Sequence, residues 1–427
     1  VIERLSAIVE NDAAIRRVLE MQPAGGQGDK IAPPTYLGSG RGEGARHAFE
    51  HRRVGDANVL TALVDSVASQ ANRLEVALVD LLRERSVHVP RLEVDFSATR
   101  ADLELVTDGK MQKVVFGKGV SYDLSDLGTI SSFEAPHRVY DAIFRDSEIV
   151  EDGTPLPFHD SELFASLKLA KPQNATVMFG LVPAALLFGS WNSTGSGGGL
   201  GAKFARCITA EIVGYGVAGK PEIQRDGQTA LVADGVRVGS RLDPLGIRKD
   251  AEVVGGPTDW NVAAGSEKGR HKPSDINHSN IPPTIEAGGV SVEFLRQTVV
   301  LSCAGLRRLR FPGTRDENAG RTVLAALALV AVLAQDRAGY ALRSRCDLAP
   351  AGPGRFEVVH ADGSISPFDL NLDEAVAAYG AAVDAARAAG FPWSERPTSL
   401  RPQAKLVQLV ALSRARGLAG EREDDEQ

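Results

Sequence analysis

Between Pro221 and Pro283 the long apolar runs of this 427-residue chain stop, and Gly, Asp, Arg and Lys take their place. A stretch of that composition cannot bury enough side chain to offset the entropy of ordering it, so an extended or mobile protrusion is expected there. The chain as a whole has ordinary globular proportions, 43% hydrophobic and 24% charged, so a sizeable core is available to the residues on either side.

The opening stretch to Met21 fits helix or strand, Pro23-Ala24-Gly25-Gly26 breaks it, and Pro33-Pro34 forces an extended path. Gly38–Gly44 is a polar, glycine-rich loop. Between Asp65 and Arg85, Val67, Leu74, Leu78 and Leu81 share one helical face, with Asp65 or Ser66 as cap and Pro90 beyond the end. Residues 91–175 are mixed, with a strand-like Lys113–Phe116 and a helix expected over Ala135–Arg145. Thr176–Phe188 is the most apolar segment and reads as strand, interrupted by Pro183. Ile208, Ala210 and Ile212 face one way and Thr209 and Glu211 the other, the pattern of a half-buried strand.

Regular structure resumes at Val290 with Phe294, Val299 and Leu301, followed by a helix over Thr322–Arg337. Phe356–Ile365 reads as a hairpin turning at Asp362-Gly363. Asn371 and Glu374 form a capping pair for a helix that ends before Gly390. A last amphipathic helix, Ala404–Arg416, is expected to stop at Gly417, ahead of a disordered acidic tail, Glu421–Glu426. Strands and helices mix without regular β-α alternation and without an internal repeat. The expected fold class is α+β, with several insertions.

Composition excludes several classes. The formal net charge of −7 gives no bulk support to nucleic-acid binding, which must then use a local basic surface. Cys207, Cys303 and Cys346 are odd in number and far apart, which argues against a disulfide framework or a zinc ribbon and fits a reduced, cytoplasmic compartment. Val1–Glu10 lacks the basic and apolar regions of a signal peptide. The longest apolar run, Val323–Ala334, falls short of the roughly 18 residues of a membrane span and is flanked by Arg321 and Asp336, so it reads as a buried helix.

Gly195-Ser-Gly-Gly-Gly-Leu-Gly-Ala-Lys203 is the first segment with chemical potential. Glycines let backbone N–H groups approach a phosphate, and Lys203 and Arg206 add charge. A P-loop fails because Ala202 separates Gly201 from Lys203 and Phe204 follows. A dinucleotide fingerprint at Gly197, Gly199 and Ala202 lacks a β-α-β frame. What stays open is a plain surface loop or a loop that cradles phosphates through Gly197, Gly198, Gly199 and Gly201. Trp191, just before it, suits base stacking or a core position, and Ser193 and Ser196 have no hydrolase setting.

Arg307, Arg308 and Arg310 form the densest basic patch, facing either phosphates or internal carboxylates. Lys268, Arg270, His271 and Lys272 sit in the apolar-poor stretch, as a basic arm or a solvated loop. Asn72-Arg73 on the first amphipathic helix and Pro136-His137-Arg138 at a second helix start offer further donors. His271 and His278 complete no metal-ligand set with Asp275. No cofactor and no catalytic constellation is expected.

Several segments together resemble a known family. Ser69-Gln-Ala-Asn-Arg-Leu-Glu75, Ala135-Pro-His-Arg-Val-Tyr-Asp-Ala-Ile-Phe-Arg-Asp146 and Phe188-Gly-Ser-Trp-Asn-Ser-Thr-Gly195 look like its signature blocks. So do Gly198-Gly-Leu-Gly-Ala-Lys203, Ile276-Asn-His-Ser-Asn-Ile-Pro-Pro283 and Ala319-Gly-Arg-Thr-Val-Leu324. The chain resembles the backbone (RAMP) subunit of the type I-U, or I-G, CRISPR surveillance complex, from about residue 15 to about 350.

That resemblance implies an RRM-like (ferredoxin-like) palm with large inserted finger and thumb elements and C-terminal helices. The expected division is residues 1–64 as the first part of the palm, 65–175 as helix and finger-like insertion, and 176–220 as palm strands. Residues 221–289 follow as thumb, 290–369 as the rest of the palm and 370–427 as C-terminal helices and tail. Several copies are expected to line a CRISPR RNA and present its spacer to target DNA. Further expected partners are the large subunit, a fused repeat-end-binding and processing subunit, and a transient helicase–nuclease that carries the DNA cleavage. No membrane is implied. The family's guide contacts map onto Asn72, Arg73, His137, Arg138, the Gly195–Lys203 loop and Arg206. Trp191, Ser193, Arg270, Lys272, Arg307, Arg308 and Arg310 join them from the residue reading. Two enzymatic alternatives stand beside it: a guide-dependent target-RNA nuclease using Asp243, Asp250, Asp259 or Asp275, and a nucleotide-binding metabolic enzyme using the glycine loop.

Overall fold

Alternating burial along Ala14–Pro23 and Phe294–Ser302 builds the centre of the protein: Ile15, Leu19 and Met21 face Leu295, Val299 and Leu301 in one core layer. The computed structural model describes all residues except 37–45, 109–110, 152, 193–202, 219, 224–228, 233–234, 239–243, 249, 257–258, 264–267, 277, 279–283, 288 and 424–427. The chain divides into two compact units. The first comprises Val1–Arg100, Asp123–Ala218 and Val290–Val407; the second comprises Ala101–Tyr122, Gly219–Gly289 and Gln408–Gln427.

The first unit is organised by a nine-stranded antiparallel sheet. Its strands are β1 (Ala14–Pro23), β2 (Phe49–Val54), β3 (Ala57–Asp65), β4 (Ile208–Tyr215), β5 (Phe294–Ser302), β6 (Tyr340–Arg343), β7 (Cys346–Pro350), β8 (Arg355–Val359) and β9 (Ile365–Phe368). The order is β6-β7-β1-β5-β4-β3-β2, with β8 pairing the first half of β1 and carrying β9 at its edge. Ladders run from Ala14↔Ser302 to Met21↔Leu295 and from Ile208↔Leu301 to Tyr215↔Phe294.

Four helices build the packed layer of this unit: α1 (Ile2–Asn11), α2 (Val67–Arg83), α3 (Glu317–Ala338) and α4 (Leu372–Ala388). Ser66 caps α2 through the Ser69 N–H, and Asn371 and Glu374 close a reciprocal capping box on α4. Helix α3 packs against α1, α2 and α4. It is long and apolar enough to cross a membrane, yet 78% of its apolar window is buried inside the protein, as a core helix requires.

A polar chain threads this core. Asp65, fully buried, accepts from Gln70 (2.6 Å), Arg73 (2.9 Å) and Arg343 (3.2 Å). Gln297 donates to Gln70 (2.8 Å), and its side-chain oxygen and the Asp336 carboxylate, the ion-pair partner of Arg17, share the single proton of the Tyr340 hydroxyl. Buried polar groups connected in this way fix the seating of α2 and α3 on the sheet, because a slipped helix leaves several of them unpaired.

A second sheet in the same unit runs Thr129–Ser131, Leu92–Asp95, Thr398–Pro402, Ser147–Glu151, Thr154–Pro157. The second unit contains three short strands, Arg100–Asp108, Met111–Phe116 and Val120–Asp123, and part of the helix Ala404–Glu423. Leu103 is buried with Ala411 and Ala415 there. Among its described residues the Gly219–Gly289 part has short ribbons of two or three strands, and Val253 and Ile276 are buried there. The described part of the apolar-poor stretch thus has regular backbone.

Three expectations need correction. Thr176–Phe188 is not a strand but two short helices, Thr176–Leu181 and Pro183–Phe188, with Pro183 at the first position of the second. Proline is favoured there because the missing N–H is unpaired in any helix start. Residues 176–220 therefore hold two short helices as well as the strand Ile208–Tyr215. Ala135–Arg145 is not one helix: Arg138 has φ +51, and a 3-10 turn over Arg138–Tyr140 precedes a short helix, Ala142–Arg145, capped by Asp141. The last helix does not stop at Gly417 but continues to Glu423, which takes the start of the acidic tail into the helix. The Gly38–Gly44 loop lies outside the described residues.

Candidate functional site

Two of the segments singled out in the sequence, with the strands that bracket a third, meet in one cavity of the first unit. The helix Pro183–Phe188 ends at Gly189, whose φ of +82 turns the chain sharply. A Cβ at Gly189 would lie 3.0 Å from the Phe204 carbonyl oxygen, so glycine suits both the turn and the close approach. The chain then pairs in a short ribbon, Ser190 opposite Phe204 and Trp191 opposite Lys203. The glycine-rich stretch 193–202 connects its two strands. Beside the ribbon lies the turn that carries Pro136, His137 and Arg138. Together they enclose a cavity of about 470 Å³, lined also by Phe188, Ala205 and Arg206.

Charge is arranged unevenly around it. Glu75, on the buried face of α2, receives both Nε and Nη2 of Arg138 at 2.6 Å, and Arg138 Nη1 donates to the Gly189 carbonyl at 3.0 Å. Both side chains are almost fully buried, at 9% and 2% exposure. Burial pushes the Glu75 carboxyl up to about 7, opposed by Arg138 and Arg206. Burial and the neighbouring Arg138 lower the Arg206 guanidinium from its ordinary value, though it stays charged. Arg206 has no carboxylate partner within ion-pair distance among the described residues. Two guanidinium groups against one carboxyl group leave at least one net positive charge at the wall. An anion reduces the repulsion between the two arginines, so the wall is suited to a phosphate.

The remaining surface is mixed. His137 is exposed, and its backbone N–H donates to Asp141 (3.0 Å). Trp191 is half-exposed at 50%. The Ser190 hydroxyl is buried and has no hydrogen-bond partner among the described residues. Phe188 and Phe204 supply apolar wall.

Other predicted contacts lie elsewhere. Arg73 is held by Asp65 and the Leu342 carbonyl (2.7 Å), while Asn72 is exposed on a separate groove of about 370 Å³ with Ser69 and Gln335. Arg307 donates to the Val9 and Asp12 carbonyls (2.7 and 2.8 Å) at the end of α1, a capping role. Arg308 is exposed, and Arg310 pairs with Glu317 at 3.2 Å. The three arginines of that patch thus do three different things. In the second unit Arg270 pairs with Glu252 at 2.6 Å, and Lys272 is exposed. Asp250 pairs with Arg248, and Asp259 and Asp275 accept from the Gly256 and Lys272 N–H groups. Asp243, Ser193, Gly197, Gly198, Gly199 and Gly201 lie outside the described residues.

Sequence reasoning missed Glu75 and Ser190. For Glu75 a signal existed: it falls on the same helical stripe as Ala71 and Leu78, where a charge must find a partner. Ser190 carries no such mark, because only the cavity identifies it.

Residues 15–219 match the family described as CRISPR-associated protein GSU0053. That match marks the chain as a CRISPR-associated protein. The matched span holds Glu75 and every residue lining the cavity, and it agrees with the subtype whose signature blocks the sequence resembles. No curated protein matches the chain. That family suggests a role in a CRISPR system, in company with its other components.

Proposed function

We propose that this CRISPR-associated chain is a non-catalytic backbone subunit that binds CRISPR RNA along its sugar–phosphate chain, in several copies, and presents the spacer to target DNA. The observation that carries this reading is the cavity: His137, Arg138, Trp191 and Arg206, chosen from separate blocks, share it beside the strands that hold the glycine-rich stretch. A net positive wall, a half-exposed tryptophan and a glycine loop suit a nucleotide backbone better than a free metabolite.

Topology supports the reading. With the β2–β3 hairpin set aside, the sequence β1, α2, β4, β5, α3, β7 has the spatial order β7-β1-β5-β4; α3 leads from β5 to strands that are not its neighbours, while α2 follows β3, which pairs with β4. That strand order is the one expected of a β-α-β-β-α-β, ferredoxin-like palm, and it supports reading β2 and β3 as an added edge hairpin. Finger and thumb then correspond to the segments 101–122 and 219–289 of the second unit. An acidic body limits non-specific DNA binding while a local basic wall grips the guide. The expected setting is cytoplasmic.

Purification with the operon partners tests the whole reading. A 260/280 nm absorbance ratio typical of ribonucleoprotein, and sequenced RNA of one repeat–spacer length, are expected; a nucleic-acid-free monomer overturns it. Arg206→Ala should weaken RNA retention several-fold at low salt and reduce the slope of log affinity against log salt by about 0.7.

A further inference from the structure

Of the residues with a buried side-chain atom that has no partner among the described residues, Ser190 is the one that lines this cavity. Ser190 is only 9% exposed, and leaving such a hydroxyl unpaired is unfavourable. Its described neighbours do not pair with it. Phe188 and Phe204 are apolar, and Arg138 directs three of its five N–H groups to Glu75 and the Gly189 carbonyl, none of them to Ser190. A serine hydroxyl donates once and accepts twice, so its best complement is a group that does both. Phosphate oxygens only accept. A ribose 2′-hydroxyl does both, and it lies within one nucleotide of the phosphate that Arg206 is suited to hold.

We infer that Ser190 is a specificity-determining residue that hydrogen-bonds the 2′-hydroxyl of a bound nucleotide, so that the cavity prefers RNA to DNA. This rests on the cavity being the RNA-backbone site proposed above. RNA and DNA carry the same phosphate charge, so the basic wall alone cannot separate them. The 2′-hydroxyl is the group that can.

The test measures binding of the full chain to a single-stranded RNA, the DNA of the same sequence and the fully 2′-O-methylated RNA, by fluorescence anisotropy. The wild type should favour the RNA over both analogues. Ser190→Ala should lower RNA affinity about five-fold, leave DNA affinity unchanged and so remove most of the preference. Ser190→Thr, which keeps the hydroxyl, should restore it in part. Arg206→Ala should weaken RNA and DNA alike. Thermal melting of each variant guards against misfolding. Ser190→Ala that weakens RNA and DNA equally, or neither, overturns the inference while leaving the RNA reading intact. A wild type that binds neither polymer overturns both.

Discussion

Glu75 and Arg138 form an ion pair that behaves unlike the surface pairs elsewhere on the chain. Both are buried, both oxygens of the carboxylate are used, and Arg138 is held at φ +51, a backbone conformation that a non-glycine residue adopts at some cost. The pair ties α2 to the turn at Pro136–Arg138 and, through the Gly189 carbonyl, to the ribbon. Removing one partner of a buried pair leaves the other charge uncompensated, which costs about 3–5 kcal/mol. Glu75→Ala should lower the unfolding free energy by about that amount in urea titration. Changing both residues, Glu75→Leu with Arg138→Met, should cost less than the sum of the single changes. Strict additivity would show that the two side chains are not coupled. Neither residue's role was fully legible beforehand. Arg138 stood out as a donor for a ligand, yet its donors face inward; Glu75 was not singled out, although its place on the buried stripe beside Ala71 and Leu78 marks it.

Elements were read correctly where periodicity and punctuation agreed. Helix α2 had its apolar face and its Ser66 cap, α4 had Asn371 and Glu374, and β4 had strict alternation around Thr209 and Glu211. Thr176–Phe188 failed because a continuous apolar run of that length has no period to read: buried helix and buried strand look alike. Its proline marked a helix start, where it had been read as an interruption. Packing between elements is equally hidden. Gly320 in α3 lies where an added Cβ would sit 2.3 Å from the Phe391 ring, and Phe391 packs against Phe179 (4.7 Å) and Phe311 (5.1 Å). Alanine is worth about 1 kcal/mol more than glycine in a helix interior. Overpacking a tight core costs about 1–3 kcal/mol. With an aromatic ring and its neighbours in the way, the second effect wins. Gly320→Ala should be destabilised, with a perturbed near-ultraviolet dichroism from that aromatic cluster; a stabilised variant would refute the packing argument.

At the scale of the molecule, the composition break that opened the sequence reading coincides with a structural one. Residues 219–289 leave the first unit and return to it at neighbouring points: Tyr215 pairs with Phe294, and the Ala218 N–H donates to the Ser291 carbonyl at 2.9 Å. The strands β4 and β5 therefore form a hairpin whose connection has grown by a whole segment. Segment 101–122 departs in the same manner, its neck closed by the Leu124 N–H to the Thr99 carbonyl at 3.0 Å. Insertions closed at the neck need not contribute to the fold of the unit they leave, and shortening a long loop lowers its closure entropy cost. Replacing 219–289 with an Asn-Gly turn should leave the first unit folded, with one cooperative urea transition and its near-ultraviolet signal preserved. Trp260 is removed by that change, while Trp393, 5.3 Å from Phe179, stays as a probe of the retained core. If the segment also carries part of the grip on RNA, through Arg270 and Lys272, the shortened chain should fold normally yet retain less RNA. An unfolded variant would show instead that the two units depend on one another for stability.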